Sequence, residues 1–156
     1  MNLQTVFKLG RVSNLPTVWS NVLAGVALAS ADSSMLNVFI VIIAISLIYT
    51  SGMFFNDLFD EEFDRQNRPD RPIPAAEASP ANVRFWATVM MLIAICLVSR
   101  NVTFSSLVSW YPFFSIIILC LLVLIYDRWH KHNPYAYLVM GLCRGMVYVT
   151  ASLSVI

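Results

Sequence analysis

Carboxylates are nearly missing from most of this 156-residue chain. Nine residues are Asp or Glu, and only Asp32 and Asp127 fall outside the stretch from Asp57 to Glu77. Charged residues of both signs make up 12% of the sequence, against a hydrophobic share of 58% and a mean hydropathy of +0.70. So little charge excludes an ordinary soluble domain, which could not bury that many large apolar side chains. A net charge of +1 gives no basic footprint, and so no nucleic acid is expected as a partner. Cysteine is scarce as well. Cys96, Cys120 and Cys143 each lie in an apolar run without metal-ligand spacing and read as small buried hydrophobes.

What fills the chain instead is apolar sequence. Five runs, at about 15–30, 36–55, 83–99, 104–126 and 135–156, approach the length that crosses a hydrocarbon core of about 30 Å. Backbone groups in lipid must be satisfied within the segment, so the runs are expected to be helices. The fold class is therefore all-α, a polytopic transmembrane helical bundle. Basic residues set its orientation. Lys8, Arg11, Arg65, Arg68, Arg71, Arg84, Arg128 and Lys131 fall on one side of the expected bundle and Arg100 alone on the other. An integral, multi-pass protein results, with residues 56–82 as a cytoplasmic loop. The last run reaches Ile156 without a polar tail, so the sequence reads as the front of a longer protein.

The gathered carboxylates stand directly behind the second run, in Asn56-Asp57-Leu58-Phe59-Asp60-Glu61-Glu62-Phe63-Asp64. On a helix, spacings of +3 and +4 place Asp57, Asp60 and Asp64 within an arc of about 60°. Asn56 adds a neutral oxygen one turn before Asp60. Such a face suits a hard divalent cation, which takes oxygen ligands and commonly shares them with phosphate. Without one the carboxylates would repel one another. Phe59 and Phe63 fall on another side and can anchor the helix in the interface or core. Arg68-Pro69-Asp70-Arg71-Pro72-Ile73-Pro74 follows, its prolines ending the helix and predicting an extended loop. Arg68 and Arg71 return over the carboxylates, either to neutralise them or to hold an oxyanion.

These motifs resemble the first aspartate-rich motif of the UbiA family of intramembrane prenyltransferases. Leu9-Gly10-Arg11 and Asn14-Leu15-Pro16-Thr17 are similar to that family's first-helix entry. Tyr126-Asp127 with Lys131 is similar to its short loop between the fourth and fifth helices. The resemblance covers essentially the whole chain, as about five helices of an expected nine. It implies transfer of a prenyl chain from a prenyl diphosphate to a hydrophobic acceptor, aromatic or lipidic. It also implies that Asn56, Asp57, Asp60 and Asp64 bind Mg²⁺, with the three aspartates as catalytic residues. Arg11, Asn14, Arg68, Arg71 and Lys131 become candidate diphosphate contacts. Ionisation of an allylic C–O bond would then be helped by stabilising the departing pyrophosphate. The family's second aspartate-rich motif has no counterpart here, since Asp127 is the only acid after Glu77. The missing half, or another chain, is the implied partner, and this chain alone is expected to be weak or inactive.

Arg144 lies inside the fifth run beside Gly145, where an ionisable residue usually faces a cavity, and it joins the substrate-binding candidates. Were it nearer the interface it would merely snorkel. His130 and His132 read as surface residues, and Trp19, Trp86, Trp110 and Trp129 as an interfacial belt. Tyr49, Phe54 and Phe55 are the better candidates for lining a prenyl pocket. The competing reading is a non-catalytic membrane protein that binds Mg²⁺ or an isoprenoid diphosphate, as a carrier, subunit or inactive family member. A CDP-alcohol phosphotransferase would need an Asp-Gly and Ala-Arg pattern that this chain lacks.

Overall fold

The chain is described by a computed structural model over residues 2–29, 33–131 and 133–156. The expected end of the first run at Ser30 and the surface placement of His132 lie outside those residues. Every regular element among the described residues is helical. A short α1 (Leu3–Gly10) is capped by Asn2, whose side chain accepts from the Thr5 amide at 2.8 Å. It stops at Arg11, which adopts the left-handed conformation with φ 43 and ψ 48. A non-glycine residue there costs about 1–2 kcal/mol, and the Arg11 amide closes the helix on Lys8 O at 3.3 Å. A single 3₁₀ turn, Val12–Asn14, then redirects the chain into α2 (Leu15–Ala29).

The remaining helices are α3 (Met35–Phe59), α4 (Glu61–Asn67), α5 (Pro80–Val98), α6 (Tyr111–Trp129) and α7 (Ala136–Leu153). Their starts follow from local chemistry. Ser34 and Ser79 accept from the amides of Asn37 and Asn82, and Pro80 opens α5 where its missing N–H costs nothing. Four stretches are long and apolar enough to cross a membrane: Met35–Phe59, Pro80–Asn101, Val108–Trp129 and Ala136–Leu153. At 15 residues α2 falls short of that length, so the first expected span is not among them.

Three expectations need correction. Residues 56–82 are not one loop. Asn56–Phe59 is the last turn of α3, and α4 continues nearly in line, with Asp60 N bonded to Asn56 O at 3.0 Å and Asp64 N to Asp60 O at 2.8 Å. After α4 the proline segment is wound rather than extended. Ala75 N reaches Arg71 O at 2.8 Å and Ala78 N reaches Pro72 O at 3.1 Å, because a proline φ suits turns as well as extended chain. The fourth helix begins at Tyr111, not Phe104. Ser109 Oγ takes up the Thr103 amide at 2.9 Å, holding residues 103–109 as a turn that apolar composition alone does not reveal.

Helix α3 is the spine of the bundle. Its Val41, Ala44, Ile45 and Ile48 bury against Ala94 and Val98 of α5, Ile116 and Leu119 of α6, and Val22 of α2. In lipid, close packing and interhelical hydrogen bonds hold helices together, so small residues matter at the crossings. Gly25 is one: a Cβ there would lie 2.8 Å from Tyr148 O and 2.9 Å from Ala151 Cβ, so only glycine lets α2 and α7 approach. Leu9, Phe54, Ile73, Ala78, Val83 and Ala87 form a second core that clamps α1 and the proline segment onto α3 and α5. Large apolar side chains such as Leu36, Phe39, Ile93, Leu121 and Leu142 point outward, as a lipid-facing surface requires.

Candidate functional site: an acid–base cluster over a membrane cavity

The carboxylate face predicted from spacing is real in geometry. Asn56, Asp57, Asp60 and Asp64 are all buried, whereas Glu62 is exposed and Glu61 partly so. Each acid is matched by a base from a different element. Arg71 Nη1 donates to Asp57 Oδ1 at 3.0 Å and to Asp64 Oδ2 at 2.9 Å, so the winding of the proline segment delivers one guanidinium between two turns of helix. Arg11 Nη2 reaches Asn56 Oδ1 at 3.3 Å and Asp57 Oδ1 at 3.4 Å, which is what the left-handed turn after α1 achieves. Lys131 Nζ lies 2.7 Å from Asp60 Oδ1. Phe59 and Phe63 anchor the neighbouring loop: Arg128 stands over the Phe59 ring at 5.7 Å and Lys131 over Phe63 at 3.9 Å.

Beneath this cluster lies a cavity of about 610 Å³. Its mouth is polar, with Arg11, Asn14, Asn56, Asp60, Arg68 and Asp127 on the wall. Its depth is apolar, with Ile45, Ile48, Leu119, Val123 and Val147. Arg144 also lines it. Arg68 and Arg144 form no ion pair with any described residue, in contrast to Arg11, Arg71 and Lys131. Of the residues expected to line a prenyl pocket, Tyr49 does so, while Phe54 is buried in the core under α1 and Phe55 packs between the two cores. Cys96 is exposed on the outer face of α5 rather than buried.

Two residues of the site were missed. Asp127 was placed in a loop, but it sits in the last turn of α6, 2% exposed, on the cavity wall, and its Oδ2 has no partner among the described residues. His130 read as a surface residue, yet it lines the cavity with Nε2 3.8 Å from Asp60 Oδ2. Both follow from the continuation of α6 past Tyr126. The sequence signal for Asp127 was its isolation, a lone acid at the end of an apolar helix.

The fit to a hard cation is mixed. Among the described residues no three Asp, Glu, His or Cys side chains converge on one point. Arg71 separates Asp57 from Asp64, so those two do not present a shared face. Asn56, Asp60 and Asp127 do put oxygen donors on the cavity wall. One or two such groups, completed by water and phosphate oxygens, are the usual protein contribution to Mg²⁺.

Known proteins share this arrangement. A digeranylgeranylglyceryl phosphate synthase of Methanothrix thermoacetophila is 34% identical over 104 residues, 66% of this chain and 39% of that protein. The enzyme of the same name from Methanocaldococcus jannaschii is 24% identical over 149 residues, 94% of this chain and 50% of its own length. A solved structure of a digeranylgeranylglyceryl phosphate synthase superposes with a TM-score of 0.84 at 22% identity, over 97% of this chain and 53% of that one. The chain thus spans about half the length of these relatives, or less. Residues 18–155 match the UbiA prenyltransferase family, and this integral membrane chain, with its helices and apolar cavity ordered as in a solved relative, belongs to that family.

Proposed function

We propose that this chain supplies the diphosphate-binding wall of an intramembrane prenyltransferase, which moves a prenyl group from a prenyl diphosphate to a lipidic or aromatic acceptor. The carrying observation is the cavity with a charged mouth and an apolar depth, since a prenyl diphosphate has the same two-part chemistry. Arg68 offers a free guanidinium at the mouth for phosphate oxygens, and Asn14 an amide. Arg11, Arg71 and Lys131 hold the carboxylates in place and keep the mouth near neutrality until substrate arrives. Asn56 and Asp60, with Asp127 opposite, would hold Mg²⁺, which supplies positive charge where the leaving group develops its negative charge. The apolar depth takes the prenyl chain and keeps water from the reacting carbon. In the transfer the C–O bond to diphosphate breaks with its electron pair, the acceptor forms the new bond, and the acceptor's proton leaves.

The relatives named as digeranylgeranylglyceryl phosphate synthases favour a glycerol-lipid acceptor over an aromatic one. The positive bias of the mouth side places that side in the cytoplasm. The second aspartate-rich wall would come from a further segment or another chain. Binding of farnesyl diphosphate with and without Mg²⁺, followed by assay for released pyrophosphate, tests the reading. Binding with release on adding the complementary half supports an enzyme. Binding without release in a full-length preparation would instead establish the non-catalytic reading.

A further inference from the structure

Helices α2 and α7 meet along a polar seam that the diphosphate does not need. Tyr148 Oη donates to Asn21 Oδ1 at 3.0 Å, and Ser152 Oγ donates to Gly25 O at 2.6 Å. Both pairs advance by four residues in the same direction, so the helices run parallel and in register. One turn back, about 6 Å nearer the mouth, the same register sets Thr17 beside Arg144. Another turn back comes Asn14. Asn14, Thr17, Asn21 and Arg144 all line the cavity. The side chains of Asn14 and Thr17, and the amide hydrogens of Asn21, have no hydrogen-bond partner among the described residues. Arg144 has no carboxylate within ion-pair distance among them.

Polar and charged groups at this depth are costly unless they face water or a ligand. An apolar prenyl chain gains nothing from them, and the opposite wall of Ile45, Ile48, Leu119 and Val123 already suits it. The diphosphate is served at the mouth by Arg68, Asn56 and Asp60. Arg144 stands eight residues beyond the start of α7 at Ala136, about 12 Å into the helix. The seam therefore faces a second occupant that is itself polar.

We propose that the α2–α7 seam is the acceptor wall. It selects an acceptor that carries an oxyanion for Arg144 and a hydroxyl-type group for Thr17 and Asn21. The proposal rests on the prenyl-transfer reading and names the acceptor's class: an anionic, hydroxyl-bearing amphiphile, with phosphate or carboxylate as its charge.

The full chain in zwitterionic nanodiscs is titrated with hexadecylglycerol phosphate, with neutral hexadecylglycerol and, separately, with farnesyl thiolodiphosphate. The wild type should prefer the phosphate probe to the neutral one by about tenfold or more, the worth of one charge-assisted contact. Arg144→Gln should erase that preference and leave farnesyl thiolodiphosphate binding unchanged, and Arg144→Lys should restore part of it. Thr17→Val should weaken both glycerol probes without altering their ratio. The proposal is overturned if the wild type shows no preference, or if Arg144→Gln weakens farnesyl thiolodiphosphate as much as the phosphate probe. Displacement of the probe by equimolar phosphatidylglycerol would also overturn it, marking a lipid-headgroup site. A wild type that holds the phosphate probe but not farnesyl thiolodiphosphate would sink the prenyl-transfer reading while the oxyanion selectivity of the seam stands.

Discussion

Lys131 Nζ lies 2.7 Å from Asp60 Oδ1, joining the turn after α6 to the break between α3 and α4. The Asp60 side chain is 8% exposed and that of Lys131 28%. This one contact closes the ring of elements around the cavity mouth, and Phe63 supports it from below through the Lys131 cation.

Removing one partner of that pair strands a buried charge. Lys131→Gln is expected to destabilise the chain by about 1–3 kcal/mol, below the figure for a fully buried pair because Lys131 is partly hydrated. Asp60→Asn in the same background should recover much of the loss. Thermal unfolding of the solubilised protein reads both, and strictly additive losses would show that the two residues do not interact.

Asp64 and Glu62 are two positions apart and should behave differently. Asp64 is 1% exposed and bound by Arg71, whereas Glu62 is exposed and receives only Gln66 at 3.3 Å. Asp64→Ala should cost about 2–4 kcal/mol, and Glu62→Ala should stay within about 0.5 kcal/mol. In a preparation that binds a prenyl diphosphate, Asp60→Ala or Asp64→Ala should abolish Mg²⁺-dependent binding and Glu62→Ala should not. Equal effects from all three would refute the one-face arrangement.

Metal removal has a distinct expected signature. With Asn56 and Asp60 contributing oxygens, chelation by EDTA should weaken farnesyl thiolodiphosphate binding by about tenfold or more, and Asp60→Asn should flatten the Mg²⁺ dependence. Identical affinity with and without Mg²⁺ would mean that arginine alone holds the diphosphate.

The α2–α7 crossing gives a prediction in packing. Gly25→Val places new atoms where Tyr148 O and Ala151 Cβ already stand and should cost about 1–3 kcal/mol or more. Gly145→Ala has nothing within 4 Å of the added carbon and should be neutral or stabilising by up to about 1 kcal/mol. Unfolding midpoints of the two variants decide it, and a tolerated Gly25→Val would show that the seam is looser than its hydrogen bonds indicate.

Much of the bundle was legible because hydropathy is a local property. Leu36 to Phe55 reads as a span whatever it packs against, and it lies within α3. Helix limits were less legible, since Ser109 and Pro112 set the start of α6 through hydrogen bonds that composition does not register. The burial of Asp57, Asp60 and Asp64 followed from their spacing. Their partners did not, because Arg71 reaches Asp57 and Asp64 only after the proline segment winds back.

The sequence by itself determined a helical membrane protein with one acidic helix face, for 3.6-residue periodicity and apolar length need no tertiary contact to be read. Only the tertiary structure decided that Asp127 and His130 enter the site, that Arg11 meets Asn56, and that Asn21 meets Tyr148. Those relations depend on how separate helices turn about their axes against one another. That rotation is fixed by close packing at points such as Gly25, whose meaning lies in the neighbour it admits.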